Sequence, residues 1–383
     1  MGKKLFMKYN KFLSIILPFT ALFCLAACQS TDKSKQGSQF VSQNHLARNN
    51  SEVAILMPLS GPEGVLGQQY DELIKIGLSE GARTDLKITS YDGSDSAKVL
   101  QAMEEIVARK TKIILGPINS PLTKLIAGRA LEQDMVIISL SNDPTLADRQ
   151  LFVFGHAPLR QLYRMLDYIF AQNHQNIITL LPAGYHSQEV NQIIQNGTIE
   201  NNATLVRTEL YLSSPESINK AVNIISDTVD NINESADNTS KPVIYIADDK
   251  KNLSLVLDSI SKYNLDKKAV IVGDNRIDNS NNKDVNLLYT GSLNFLNNKT
   301  IAAAQKTTIH HLSSMHLIAY DLGKIVGQNI GHNLITENFL SRIDNNIFFG
   351  LSGDLSFTDS IAQRKYDIIE RKEGIYNTID IAR

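Results

Sequence analysis

Residues 53–61 read VAILMPLSG, a short apolar run that ends at Pro58, and the helical spacing of Leu66–Leu78 follows directly. A continuous apolar run of this length, closed by a proline, is typical of a strand buried on both faces. The same pattern continues along the chain. Further strands are predicted at Leu86–Tyr91, Lys112–Leu115 and Met135–Ile138, with helices at Lys98–Ala108 and Leu122–Leu131. We therefore predict a parallel sheet covered by helices on both faces.

The pattern starts again after Leu151–Phe154 and Pro158. Helices are predicted at Leu159–Phe170, near Glu189, at Ser217–Val229 and at Leu253–Tyr263, with strands at Asn176–Leu181, Thr204–Leu210, Pro242–Ile246 and Ala269–Val272. Two successive units of this kind predict an α/β protein with two doubly wound parallel-sheet lobes.

The composition agrees with a folded protein of two lobes. The chain has 383 residues, of which 43% are hydrophobic, and 38 Lys and Arg face 40 Asp and Glu. This composition excludes a disordered chain. The near-zero net charge gives no basic footprint for a nucleic acid. Two cysteines exclude a disulfide framework and a cysteine-rich zinc site.

The first residues have the pattern of an export signal. Lysines precede an apolar run at residues 12–27, and Leu25-Ala26-Ala27-Cys28 resembles the bacterial lipobox. That resemblance implies cleavage before Cys28 and lipidation of its thiol. We therefore expect a signal peptide at 1–27 and a lipidated flexible tether at 28–50. The alternative is an uncleaved membrane anchor, because the apolar run is close to the shortest spanning length.

The residue after the lipobox suggests a location. Gln29 stands where an aspartate would be found in lipoproteins kept in the inner membrane. By resemblance to Gram-negative lipoproteins, we expect a lipid-anchored protein of the outer membrane that faces the periplasm.

Polar side chains follow the predicted strands, at the carboxyl ends where ligands of such sheets bind. Hydroxyl and amide groups there suit a carboxylate, and acidic groups suit an ammonium ion. The candidate ligand contacts are Ser60, Ser139, Ser141, Asn142, Tyr185, Asp248 and Asp274. Capping and turn formation would explain the same residues without any ligand.

Catalytic patterns are weak or missing. The stretch Gly61–Gly67 follows a strand and opens a helix, but no Gly-Lys-Ser/Thr follows it as a phosphate-binding loop requires. Neither G-x-S-x-G nor H-E-x-x-H occurs. Ser259–Lys262 matches S-x-x-K without an accompanying K-T-G. The spacing of His310, His311 and His316 does not stack them on one helical face. We predict no catalytic residue, no metal and no cofactor.

Four segments in order resemble type I periplasmic binding proteins. They are Val53–Gly61 with Gly67, Ile114–Pro117, His316–Asp321 and Gly350–Phe357. Within that superfamily, Ile114–Pro117 followed by Ile138–Asp143 looks most like the penicillin-binding protein activator lipoproteins. Amino-acid transport receptors more often carry Ala or Thr after the serine that corresponds to Ser139, and then a proline.

The resemblance implies a fold and a function. It implies two lobes joined by three crossovers, which we place at 51–155 plus 290–350 and at 156–289 plus 351–383. It also implies a non-catalytic lipoprotein that activates a penicillin-binding protein, a peptidoglycan synthase, by direct contact. The alternative is a substrate-binding lipoprotein of an ABC transporter, with a branched-chain or other amino acid as its ligand. Longer activators carry a helical-repeat domain where this chain has residues 29–50.

Overall fold

The structure is a computed structural model, and it describes part of the chain. The described residues are 52–81, 86–235, 240–248, 250–279, 284–309, 312–330, 336–344 and 346–382. The predicted signal peptide at 1–27, Cys28 and the tether up to residue 50 lie outside these residues.

Strands and helices alternate through most of the described residues. The strands are β1 (Glu52–Met57), β2 (Lys87–Asp92), β3 (Ile113–Leu115), β4 (Val136–Ser139), β5 (Leu151–Val153), β6 (Asn176–Pro182), β7 (Thr204–Tyr211), β8 (Val243–Ile246), β9 (Val270–Gly273), β10 (Leu287–Gly291), β11 (Leu355–Thr358), β12 (Ile361–Arg364), β13 (Asp367–Lys372) and β14 (Ile375–Asp380). The helices are α1 (Gly64–Gly81), α2 (Ser96–Ala108), α3 (Ser120–Glu132), α4 (Pro158–Ala171), α5 (Tyr185–Glu200), α6 (Pro215–Glu234), α7 (Lys250–Lys262), α8 (Leu265–Lys268), α9 (Lys299–Thr307), α10 (Ser314–Asn329) and α11 (Thr336–Asp344).

The first lobe is built on a sheet with strand order β11-β12-β5-β4-β3-β1-β2. Strands β1 to β5 are parallel, and the antiparallel hairpin β11–β12 joins them through β5. Alternate residues of β1 enter two different cores. Val53, Ile55 and Met57 pack with residues of α1 and α10, whereas Ala54 and Leu56 pack with α2 and α3. Burial of both faces explains why the run at 53–57 is continuously apolar.

The second lobe repeats this plan. Its strand order is β14-β13-β10-β9-β8-β6-β7, with β6 to β10 parallel and β13 and β14 antiparallel. Ile178 and Leu180 face the core formed with α6 and α7. Ile177 and Leu181 face the opposite core, which includes residues of α4 and α5.

The chain passes between the two lobes three times, from β5 to α4, from β10 to α9 and from β12 to β13. The predicted fold class, two α/β lobes joined by three crossovers, is therefore confirmed. Both sheets are mixed rather than purely parallel, because each ends in an antiparallel hairpin.

Two predicted lobe boundaries are wrong. Residues 351–364 were assigned to the second lobe, but β11 and β12 belong to the first sheet, where Ile361 pairs with Val153. The boundary at 289/290 falls inside β10, which belongs to the second sheet. Short strands that complete a sheet from a distant part of the chain carry no local signal of which sheet they join.

Candidate functional site

Ser60 lies at the carboxyl end of β1, within a network centred on Asp92. Its hydroxyl donates to Asp92 Oδ2 at 2.7 Å and lies 2.6 Å from Lys98 Nζ, while the amide of Leu59 donates to Asp92 Oδ1 at 3.0 Å. Burial favours a higher pKa for Asp92, but the hydrogen bonds from Ser60, Lys98 and Ser94 outweigh it and hold the pKa well below its usual value. Ser60 is thus already engaged within its own lobe.

Ser139 is the last residue of β4 and Ser141 follows in the next turn, and both are buried. The Ser139 hydroxyl donates to the carbonyl of Pro117 at 2.8 Å, lies 2.9 Å from Thr123 Oγ1 and accepts from the amide of Ser141 at 3.0 Å. Ser141 Oγ lies 2.6 Å from the hydroxyl of Ser120. The hydrogen-bonding capacity of these hydroxyls is therefore used within the turns that surround them.

The predicted acidic residues of the second lobe are also paired. Asp248 accepts a hydrogen bond from the Tyr211 hydroxyl at 2.5 Å. Asp274 is 2% exposed and forms a bidentate ion pair with Arg276, whose Nη2 lies 2.5 Å from its Oδ2. The backbone of Tyr185 opens α5, and its side chain lies outside the described part of the structure.

The structure thus brings the predicted residues to the carboxyl ends of strands, and it binds most of them to neighbours in the same lobe. Asn142 differs from the others because it lines a cavity between the lobes. The role of all seven residues in ligand contact stays a prediction.

The cavity of about 490 Å³ is enclosed by three parts of the chain. Asn142, Val153 and the strand residues 361–363 form the wall of the first lobe. The crossover segment 155–160 also lines the cavity, and His186 and Glu189 at the start of α5 line it from the second lobe. Sequence reasoning missed the crossover residues, since no motif marks them and only the fold brings β12 beside them.

Arg364 fixes the crossover segment that backs this cavity. Its guanidinium donates to the carbonyls of Phe154 and Gly155 at 2.7 and 2.8 Å and lies 4.4 Å from the centre of the Phe154 ring. Its Nε donates to Ser352 Oγ at 3.1 Å, and that hydroxyl donates to Asp321 at 2.6 Å. The third crossover is thereby fastened to the first.

The patterns that suggested chemistry have structural explanations. Ser259 donates to Asn219 Oδ1 at 2.6 Å, so it is engaged between α6 and α7. Nδ1 of His316 lies 2.7 Å from the Ser313 hydroxyl, and its Nε2 lies 3.0 Å from Oε1 of Gln69. His310 and His311 lie outside the described residues. Within the described part, no group of three or more His, Cys, Asp or Glu could hold a metal ion.

A helix can span a bilayer only if it is long and predominantly apolar. Of the helices that the described ranges contain, none is both long and apolar enough to span a bilayer.

Solved structures with the same fold include LpoA and solute-binding proteins of ABC transporters. Full-length LpoA from Haemophilus influenzae matches with a TM-score of 0.61 at 18% identity, over 88% of this chain and 59% of LpoA. The LpoA C-domain, described as a regulator of PBP1A, is matched over its whole length and over 86% of this chain, with a TM-score of 0.62 at 17% identity. A solute-binding protein of an ABC transporter from R. palustris, in complex with 4-hydroxybenzoate, matches with a TM-score of 0.63 at 12% identity, over 86% of this chain and 96% of that protein. These likenesses confirm the predicted periplasmic-binding-protein-like fold.

Sequence comparison finds a relative with a higher identity than these structures have. No protein-family model matches the chain. Uncharacterized protein RP748 of Rickettsia prowazekii is 47% identical over 365 residues, which are 95% of this chain and 97% of that protein. Identity at this level over nearly the full length of both chains reflects a common fold and a common descent. The chain belongs to the same family as Uncharacterized protein RP748.

Proposed function

We propose that this chain is a non-catalytic envelope lipoprotein that activates a peptidoglycan-synthesising penicillin-binding protein by direct contact. The observation that carries the proposal is that most of the candidate ligand groups are satisfied within their own lobe, as Ser139 is by Thr123 and Asp274 is by Arg276. A receptor needs such groups to be open to a ligand. The match to the whole LpoA C-domain, described as a regulator of PBP1A, supports the same proposal.

The proposal includes a location. Lipidation of Cys28 would anchor the protein in the outer membrane, with its folded part in the periplasm. An acylated amino terminus that carries three chains exceeds the two signals that stable anchoring requires. The chain spans 59% of the length of full-length LpoA.

The alternative function is a substrate-binding lipoprotein of an ABC transporter. The cavity of about 490 Å³ between the lobes favours it, because this volume falls in the range of ligand sites. The likeness to a solute-binding protein in complex with 4-hydroxybenzoate supports it as well.

An activator needs a surface for its partner, and the loop before β11 provides a candidate. Phe349 is 81% exposed and Ile347 is 64% exposed. The loop is held firmly, because Asp321 accepts hydrogen bonds from the amides of Leu351 and Ser352 at 2.8 and 2.7 Å. A large aromatic side chain displayed on a fixed loop is typical of the few residues that dominate a protein interface.

We expect Phe349→Ser to reduce the recovery of a penicillin-binding protein from envelope extract about tenfold or more, as loss of a dominant interface residue does. The captured synthase is identified by labelling with fluorescent penicillin. The melting temperature should stay unchanged, because the Phe349 side chain contributes little to the core. Ile381→Ser is the matched control, since Ile381 is 71% exposed on the second lobe. Equal recovery by both variants and the parent would refute this contact surface.

We also expect no thermal shift with any of the twenty amino acids. A receptor with micromolar affinity gains about 2.7 kcal/mol of stability at a hundredfold ligand excess over its dissociation constant. For a protein of this size, each kcal/mol raises the melting temperature by about 1 to 1.5 °C. The measurement uses the whole chain in detergent. A shift with Leu, Ile or Val that Asn142→Ala abolishes would favour the transport receptor instead.

A further inference from the structure

Strand β7 is an edge of the second sheet, with β6 on one side and no strand on the other side among the described residues. The amide of Ala183 donates to the carbonyl of Tyr211 at 2.8 Å, so the N–H and C=O groups of Tyr211 point towards β6. Because these groups alternate in direction along a strand, those of Thr208 and Leu210 point outwards. The regular stretch begins after Val206, where the ladder with β6 has a bulge. An edge of this kind is a template for a further strand.

The side chains of β7 differ in chemistry between its two faces. Tyr211 packs in the core formed with α6 and α7, so Glu209 and Arg207, two and four residues earlier, lie on that face. Their side chains form an ion pair at 2.8 Å. On the opposite face Leu210 is 48% exposed and Val206 is 39% exposed. Apolar side chains exposed beside outward backbone groups indicate that another strand covers this edge.

The charges of β7 select how a second copy of the same strand can pair with it. In an antiparallel pair of identical strands, the register is set by the residue that faces its own copy. With Thr208 at that centre, Arg207 faces Glu209 of the second copy and Glu209 faces Arg207, so two ion pairs form. Val206 then faces Leu210 of the second copy on the apolar face. With Glu209 at the centre, two carboxylates would face each other, which destabilises a pair of strands.

The other edge of this sheet, β14, lacks such self-complementarity. Asp380 is the one charged residue of β14, and it accepts a hydrogen bond from Arg164 of α4 at 2.6 Å. No register of β14 with its own copy therefore places opposite charges face to face. The charge pattern favours β7 as the edge that pairs.

We propose that the chain forms a two-fold dimer in which β7 pairs with β7 of a second copy, with Thr208 at the centre. The outward N–H and C=O groups of Thr208 bond to the same groups of the second copy, and the two sheets become continuous. Because the paired strands are antiparallel, the carboxyl ends of the second-lobe strands point in opposite directions in the two copies. The first lobes therefore lie at opposite ends of an elongated dimer. This inference goes beyond the activator function and does not depend on it.

The test measures association of the whole chain by sedimentation equilibrium, in a detergent matched in density to the solvent. The parent should form a dimer with micromolar affinity. Arg207→Glu and Glu209→Arg should each weaken the association about tenfold or more, because like charges then face each other across the strand pair. Arg207→Met removes an attraction without adding a repulsion, so its effect should be smaller. Arg129→Glu is the matched control, since Arg129 is equally exposed and pairs with Glu132 on α3 of the first lobe.

Mixing the two charge-reversed variants separates pairing across the dimer from a change within one copy. In a mixture of Arg207→Glu with Glu209→Arg, every facing pair again has opposite charges, so a heterodimer should form with the affinity of the parent. The double variant that carries both changes should restore the homodimer, because it only exchanges the two charges. Recovery of one variant through an affinity tag on the other measures the heterodimer. Its formation also shows that both single variants are folded.

The outcomes that would overturn the proposal are distinct. A parent that stays monomeric at every concentration would refute the dimer. Single variants that dimerise like the parent, or a mixture that forms no heterodimer, would refute pairing through β7. A monomeric parent whose charge-reversed variants recover less penicillin-binding protein from envelope extract would assign this edge to the synthase, and would overturn the pairing of two copies.

Discussion

Replacement of Gly77 or Gly323 by alanine should each lower the free energy of unfolding by about 3 kcal/mol, the upper end of what an overpacked core usually loses. The two glycines lie where α1 and α10 approach each other most closely. A Cβ at Gly77 would overlap the carbonyl oxygen of Tyr320 and lie 2.7 Å from the amide nitrogen of Lys324. A Cβ at Gly323 would overlap the carbonyl of Ile74. Backbone atoms cannot rotate away, so the helices must separate.

Gly128 provides the control for this prediction. It lies in α3, and a Cβ there would meet no atom within 4 Å. Gly128→Ala should stabilise the protein by about 0.5 to 1 kcal/mol, because alanine loses less backbone entropy in a helix than glycine does. Denaturant unfolding of the three variants measures the differences. If all three shift stability in the same direction, close helix packing is not the cause.

The elements of the sheets could be predicted because their signals are local. The strand predicted at Met135–Ile138 is β4 at Val136–Ser139, and the helix predicted at Leu66–Leu78 is the centre of α1. Strands buried on both faces must be apolar throughout, and this pattern is rare elsewhere. The contact of Gly77 with α10 could not be predicted, since it joins helices about 240 residues apart.

The positions of the candidate residues at strand ends could be predicted, but their hydrogen-bond partners could not. Strand ends follow from the strands, so Ser139, Asp248 and Asp274 were placed correctly at carboxyl ends. Most of their partners follow from which turns and helices pack beside them, as Thr123 does for Ser139 and Tyr211 does for Asp248. Of the residues that line the cavity between the lobes, the sequence pointed to Asn142 alone, because much of the remaining lining comes from β12, α4 and α5.

The same limit applies to β12 and to its last residue, Arg364. From the sequence alone, an arginine in a terminal strand is expected to face solvent, as most arginines do. Here the guanidinium is buried and spans two crossovers. Its charge interacts with Asp321 through Ser352, and burial lowers the pKa of Arg364 while it raises that of Asp321. The pair is a single buried polar network, so the loss of either end leaves the other unsatisfied.

Arg364→Met should therefore destabilise the protein by about 3 to 5 kcal/mol, the usual effect of removing one partner from a buried charged network. Methionine keeps much of the volume but leaves the carbonyls of Phe154 and Gly155 without donors and Asp321 without its cation. The loss of stability should be local as well as global, because those two carbonyls belong to the first crossover. Hydrogen exchange should become faster at residues 154–160 before it changes in the sheets.

The control for Arg364→Met is an arginine that pairs at the surface. Arg207 bonds to Glu209 at 2.8 Å, and its side chain is 43% exposed. Arg207→Met should change stability by less than about 1 kcal/mol, since solvent screens such pairs. Thermal and denaturant unfolding of both variants supply the comparison. If Arg364→Met were as mild as its control, the crossovers would be held by sheet packing alone. Faster exchange confined to residues 154–160 would instead show that Arg364 sets how firmly the two lobes are joined.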